Sequence, residues 1–250
     1  MHLHTLPTIF RPRPRPRLRL RWLLFLRRAL LPAAMVVASA TAVHAQALAP
    51  PWQAQLDAAV IDYESGHRAR AQRVFESLAK KGVAAAHYNL AVMHLRGDLP
   101  QASPQRGVEL LNRAARGGFV TAQLLLGRTL ENGEFGPRDL KRAHQWYAVA
   151  AERGSVEAQV AMGTAHYLGR GLPQDPQRAA HWFREASKAG DVGAMYLLAS
   201  MYEQGDGVEP DLRLARYWYG LAGQAGDPAA TVKALELQRK LEAPAPTAPP

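Results

Sequence analysis

Small residues return along this chain at a constant interval of 36 residues. Glycine occupies one such column, at positions 82, 118, 154, 190 and 226. Alanine occupies another, at positions 86, 122, 158, 194 and 230. Two residue types that recur at the same constant spacing, with no insertion, indicate an internal repeat. Each unit of such a repeat is one supersecondary element. The pattern predicts four full units, at residues 83–118, 119–154, 155–190 and 191–226.

Within each unit, the spacing of apolar residues predicts two helices. In the third unit, Ala158, Met162 and Ala165 recur every three to four residues and therefore share one face of a first helix. Gly169 follows, where a residue without Cβ suits a left-handed cap. The second helix ends at the closing glycine of the unit and starts behind a side chain that can accept from the free amides of the first turn. These starting residues are Ser103, Asp139, Asp175 and Asp211.

The second helices contribute the large side chains of the expected core. An aromatic pair recurs at one position of the last three units, as Trp146-Tyr147, Trp182-Phe183 and Trp218-Tyr219. Alanines on either side allow the helices to approach closely while the rings fill the space between them. Gly127 and Gly163 stand inside first helices, and we interpret them as packing positions. The prediction is an all-α solenoid of helix pairs. Its column of aromatic residues is expected to belong to the hydrophobic core and not to a ligand-binding site.

The ends of the array depart from the repeat, as the ends of a solenoid must. Residues 46–82 are predicted to form a linker and a shortened N-terminal helix pair. Residues 227–242 are predicted to form a closing helix that starts at Asp227-Pro228. Its exposed side is expected to be polar, through Lys233, Gln238, Arg239 and Lys240. Alternating Ala and Pro predict a disordered tail over 243–250.

The basic charge of the chain is concentrated at its N-terminus. The formal net charge is +10, but residues 1–45 hold eight Arg and no acidic residue, which leaves a net charge of only +2 on the remainder. The basic excess therefore belongs to a targeting segment, and no nucleic-acid partner is expected. The basic run, the apolar stretch 29–42 and the small residues behind it have the order of a secretory signal peptide.

This order predicts cleavage between Ala45 and Gln46, with a cut after Ala47 as the second choice. The fourteen residues 29–42 are too few to span a bilayer, which needs about 20. The predicted location is periplasmic or secreted. The alternative is an uncleaved segment that anchors the chain in the inner membrane, the only expected contact with a membrane.

The repeat resembles the Sel1-like repeats, relatives of the tetratricopeptide repeats. The last unit carries the resemblance best, through Ala194, Leu198-Ala199, Tyr202, Gly205-Asp206-Gly207-Val208, Asp211, Ala215, Trp218-Tyr219, Ala222 and Gly226. The first unit departs most, with Gly97-Asp98-Leu99 and Leu110-Leu111. The resemblance implies a right-handed α/α superhelix whose concave face is lined by first helices. It also implies a role as an adaptor or scaffold in protein complexes.

The residues offer little support for catalysis. The absence of Cys excludes disulfides, thiol nucleophiles and thiolate metal sites. His94 and His166 share a column two repeats apart, too far to share a metal ion, since packed helices lie about 8–10 Å apart. We therefore expect no catalytic residue, no metal and no cofactor. A hydrolase remains the least favoured alternative.

The expected function is protein binding in the concave groove. By analogy with tetratricopeptide repeats, first helices should present a mixture of aromatic, charged and small polar side chains to a peptide. The predicted contact residues are Tyr88, Asn89, Val92, Arg128, Glu131, Thr164, Tyr167, Tyr196 and Ser200. The alternative partner is peptidoglycan or a murein enzyme of the cell envelope.

Overall fold

The computed structural model describes residues 50–243. In this range the chain forms eleven helices and no strand. The helices are α1 Gln53–Glu64, α2 Arg68–Lys80, α3 Ala84–Arg96, α4 Pro104–Arg116, α5 Val120–Asn132, α6 Leu140–Glu152, α7 Val156–Leu168, α8 Pro176–Lys188, α9 Val192–Gln204, α10 Leu212–Gln224 and α11 Pro228–Glu242. The predicted signal peptide, its cleavage site and residues 244–250 of the tail lie outside the described residues.

Consecutive helices pack against one another along the chain, which makes the described region an α-solenoid. The first helices of the four units are α3, α5, α7 and α9, and the second helices are α4, α6, α8 and α10. A shortened pair, α1 and α2, precedes them, and α11 follows them. None of the helices in the described range is both long enough and apolar enough to cross a bilayer.

The predicted helix starts are confirmed in all four units. The side chain of Asp175, for example, accepts a hydrogen bond from the backbone N–H of Arg178 at 2.9 Å. Ser103, Asp139 and Asp211 cap α4, α6 and α10 in the same way. Because these side chains satisfy amides that have no partner inside the helix, they determine where each second helix begins.

The second helices end slightly before the predicted glycines. Helix α4 ends at Arg116, and the left-handed Gly118, with φ of 85°, lies in the turn that follows. The backbone N–H of Phe119 returns to the carbonyl of Ala114 at 3.1 Å across this turn. The closing glycine therefore reverses the chain toward the next unit, and the helix stops before it.

The core confirms the packing interpretation of the small residues. Tyr147, Phe183 and Tyr219 are buried, whereas the preceding tryptophans of each pair are only half-buried. A Cβ added to Gly163 would lie 2.7 Å from the Phe183 ring, and one at Gly127 would lie 2.6 Å from the Tyr147 ring. Glycine is needed at both positions because the ring of the second helix lies directly against the first helix.

The closing helix α11 differs from the prediction of a polar exposed side. Val232 is 55% exposed and Leu235 is 50% exposed, alongside the expected polar residues. Leu235 stands 36 residues after Ala199, which packs with residues of α10 and α11. Helix α11 thus occupies the place of a further first helix, and an apolar part of its surface remains uncovered.

Candidate partner-binding surface

Three of the predicted contact residues lie in the core. Tyr88, Asn89 and Val92 are exposed by 2%, 0% and 4% respectively. The Tyr88 ring packs on Phe119 with 5.1 Å between ring centroids, and burial raises the pKa of the Tyr88 hydroxyl. A partner cannot reach these side chains in this arrangement. Their columns are half-buried or exposed in later units, so a shared repeat position does not imply equal exposure.

A half-exposed row remains on the later first helices. Arg128 on α5, Thr164 on α7 and Ser200 on α9 occupy one column at the 36-residue interval, and we call these three residues the first-helix row. The Arg128 guanidinium forms no ion pair or hydrogen bond with the part of the chain that the structure describes. The hydroxyl of Ser200 accepts a hydrogen bond from the Gln204 amide at 3.1 Å. The row offers one unpaired cation and two hydroxyl groups.

Glu131, another predicted contact residue, is engaged inside the solenoid. Its carboxylate accepts a hydrogen bond from the Tyr147 hydroxyl at 2.8 Å and lies 3.7 Å from the guanidinium of Arg170 in the next unit. Burial, followed by the hydrogen bond to Glu131, raises the pKa of Tyr147 far above its usual 10.0. Glu131 thus holds a tyrosine of its own unit and a cation of the following unit.

The fourth unit repeats this arrangement. Glu203 accepts from the Tyr219 hydroxyl at 3.0 Å and from Lys233 Nζ of α11 at 3.2 Å. Burial raises the pKa of Tyr219, and the hydrogen bond to Glu203 adds to the effect. We call each set of tyrosine, glutamate and cation a tyrosine–glutamate staple. The two staples connect the second unit to the third and the fourth unit to α11.

The third unit replaces the staple with a different contact. Its second helix has Phe183, which has no hydroxyl, and its first helix has Tyr167 in the glutamate column. The two rings meet edge to face, with 6.5 Å between their centroids. A hydrogen bond to Asp206 of the next unit raises the pKa of the Tyr167 hydroxyl. Tyr167, predicted to contact a partner, therefore joins two units, although its side chain stays partly exposed.

Tyr196 also has an internal contact. Its ring meets the Tyr219 ring edge to face at 5.0 Å, and the residue remains half-buried. Leu197 beside it is 37% exposed. Tyr196 and Leu197 lie one helical turn before Ser200 on α9, so these two side chains border the first-helix row in the last unit.

Two buried histidines lie near each other on neighbouring helices of the second and third units. His144 on α6 and His166 on α7 are both buried, and neither Nδ1 atom has a hydrogen-bond partner among the described residues. Burial lowers the pKa of His144, and the nearby His166 and Arg170 add to this effect while Glu131 opposes it. Within residues 50–243, no three metal-ligating side chains come together to hold an ion.

The repeats match a known family model. The model for the Sel1 repeat matches residues 84–119, 120–155, 156–191 and 192–227. Each match begins one residue after the unit that the glycine and alanine columns define. Together the matches cover more than half of the chain. No curated protein sequence matches the chain.

Two solved structures are similar over most of this chain. One is a protective antigen present in uropathogenic Escherichia coli strains that displays an SLR fold, with a TM-score of 0.66 and 26% identity. The other is a Sel1 repeat protein from Oxalobacter formigenes, with a TM-score of 0.66 and 29% identity. The likeness covers 76% of this chain in both cases, but 45% and 56% of the respective structures. The chain thus spans about half the length of these two proteins.

Proposed function

Because the chain belongs to the Sel1 repeat family, we propose that it is a non-catalytic scaffold that binds another protein through the first-helix row. Solenoids of this kind present the same columns of successive units as one extended surface. The observation that carries the proposal is the first-helix row itself, in which Arg128 is accessible and unpaired with any described residue. Sel1 repeat proteins generally bind protein partners.

The chemistry of the row suits an extended peptide. The Arg128 guanidinium can bind a carboxylate or a backbone carbonyl of the partner. Thr164 and Ser200 can donate to further carbonyls along the same line. Leu197 and the edge of Tyr196 supply an apolar end, where a partner side chain would be anchored. Glu131 and Tyr167 contribute mainly by keeping consecutive units in place.

The proposal includes a location in the cell envelope or outside the cell. It is supported by the basic, apolar and small-residue segments of residues 1–45 and by the charge asymmetry of the chain. The test is N-terminal sequencing of the protein recovered from the envelope or the medium. A mature chain starting at Gln46 supports cleavage, and an intact N-terminus in the inner membrane contradicts it in favour of an anchor.

The function itself is tested by affinity capture from cell envelopes with the tagged mature protein. The test variant is R128E/T164A, which changes two residues of the first-helix row. The matched control is R239E on α11, which reverses an exposed Arg outside the row. We expect one protein partner that the wild type and R239E retain and the test variant loses. Circular dichroism establishes that both variants remain folded.

Two outcomes contradict the proposal. A partner that R128E/T164A retains at wild-type yield shows that the row is not the contact surface. Binding to isolated cell-wall sacculi, with no protein captured after mild cross-linking, replaces the protein partner with peptidoglycan. The sacculi are therefore assayed in parallel with the envelope extract.

A further inference from the structure

The two sets of helices differ in charge. The second helices, α2, α4, α6, α8 and α10, contain fourteen Lys and Arg against four Glu. The first helices, α1, α3, α5, α7 and α9, contain two Arg against six Asp and Glu. The small net charge of residues 46–250 therefore hides a separation of charge between the two helix sets. An acidic partner is attracted to the second helices.

A cavity of about 270 Å³ lies on the basic side, between α2, α3 and α4. Three cations line it: Lys80 from α2, and Arg106 and Arg113 from α4. Leu90 and Leu110, both buried, form an apolar floor. Glu76 is the one acidic residue in the lining. We call this cavity the basic groove.

The cations of the basic groove are available to a ligand. Lys80 and Arg113 are exposed and form no ion pair with any residue between 50 and 243. Arg106 pairs with Glu109 at 2.8 Å, but both side chains are exposed, so this pair contributes little and can exchange. Glu76 accepts a hydrogen bond from Gln72 at 2.8 Å and not from a groove cation.

We propose that the basic groove binds an acidic peptide segment of a partner protein, at a site separate from the first-helix row. Guanidinium and ammonium groups on two facing helices match carboxylates spaced along a peptide. The floor of Leu90 and Leu110 takes the aliphatic part of a Glu side chain or a neighbouring Leu. A flat lipid surface reaches the rim cations but not this recessed floor, which favours a peptide over a membrane.

The mature chain is tested with a fluorescent peptide of about twelve residues that alternates Glu and Leu, by fluorescence anisotropy. The control peptide has Gln in place of every Glu. Binding of the Glu peptide alone is expected, and it weakens as salt is raised from about 50 to about 200 mM. Equal binding of the Gln peptide, or binding of neither, overturns the proposal.

Two protein variants locate the site. K80E/R113E reverses the unpaired groove cations, and K141E/R213E reverses two exposed cations on second helices outside the groove. Loss of two charge-assisted bonds should weaken peptide affinity at least about tenfold in the first variant. The second variant should change it less than about threefold. An equal loss of peptide affinity in both variants would mean that the peptide is attracted by the overall positive charge, and it would overturn the basic groove as the binding site.

Three further measurements distinguish a peptide site in the basic groove from binding at another surface and from binding of another ligand. R128E, in the first-helix row, should leave peptide affinity unchanged, so failure of the groove and failure of the row are distinguishable. Inorganic phosphate should compete only weakly, since it cannot use the apolar floor. The protein is also tested with vesicles of phosphatidylglycerol. If it binds the vesicles but not the Glu peptide, and K80E/R113E abolishes vesicle binding, the groove is a membrane-binding site and the peptide proposal is overturned.

Discussion

Removing the Tyr147 hydroxyl is expected to destabilise the second unit of the solenoid, in which this hydroxyl donates to Glu131. The Y147F substitution deletes the donor of the 2.8 Å hydrogen bond to Glu131 and keeps the ring that packs against Gly127. The third unit has Phe183 at the same position, so the fold accommodates a phenylalanine there. Any loss of stability is then due to the hydrogen bond and not to altered packing.

The magnitude follows from the surroundings of Glu131. A hydrogen bond to a charged group contributes about 1.5–3 kcal/mol. The Glu131 side chain is 25% exposed and lies 3.7 Å from Arg170, so water and a cation replace part of what is lost. We therefore expect Y147F to lower the free energy of unfolding by about 1–2 kcal/mol. Y219F, which breaks the staple of the fourth unit, should cost a similar amount.

A double-mutant cycle in urea, followed by circular dichroism, measures the coupling. The partner substitution is E131L, because the first unit has Leu95 and Leu111 in the two staple columns. In the E131L background, Y147F should cost about 0.5 kcal/mol or less, because no carboxylate is left to lose its donor. Equal costs in both backgrounds would refute the staple as a stabilising contact.

Three further predictions concern stability. G163A should lower the free energy of unfolding by about 1–3 kcal/mol, because the new Cβ would lie 2.7 Å from the Phe183 ring. Its control, G220A, adds a Cβ with nothing within 4 Å and should raise the free energy of unfolding by up to about 1 kcal/mol; equal effects in thermal melts contradict the packing argument. D175A should lower the free energy of unfolding by about 1 kcal/mol, and D175N should lower it much less, because Asn also accepts a hydrogen bond from the Arg178 amide. An equal loss of stability in both variants means that the cap does not act through this bond. Burial holds the folded-state pKa of His144 below its usual 6.5, so the unfolded chain binds more protons and stability is lost as the pH falls below about 6.5. When the pH is lowered from about 7.5 to about 5.5, the melting temperature of H144Q should therefore fall less than that of the wild type. An equal fall in both proteins means that other groups cause the acid sensitivity.

The helices and their succession were predictable because the signals for them are local. Asp175 caps α8 through an amide three residues away, and Gly169 adopts its left-handed conformation within its own turn. The spacing of Ala158, Met162 and Ala165 describes one helix face without reference to any other unit. Since such signals act over a few residues and recur every 36, the sequence alone determined the helix pairs and the solenoid.

The exposure of each column depended on the tertiary structure. Val92, Thr164 and Ser200 share a column, yet Val92 is buried and the other two remain accessible. The Tyr and Glu of each staple stand 16 residues apart in two of the four units, a co-occurrence that was visible in the sequence. Their cations come from the following unit, and only the packing of one unit on the next brings them within reach.

The basic groove also depends partly on the sequence and partly on the packing of helices. The charge of α2 and α4 can be counted along the chain, but the cavity exists only where these helices pack with α3. Its cations lie up to 33 positions apart, from Lys80 to Arg113. A repeat pattern describes what each unit contains, whereas a binding surface combines side chains of neighbouring units. The sequence therefore determined the scaffold, and the packing of successive units decided which side chains a partner can reach.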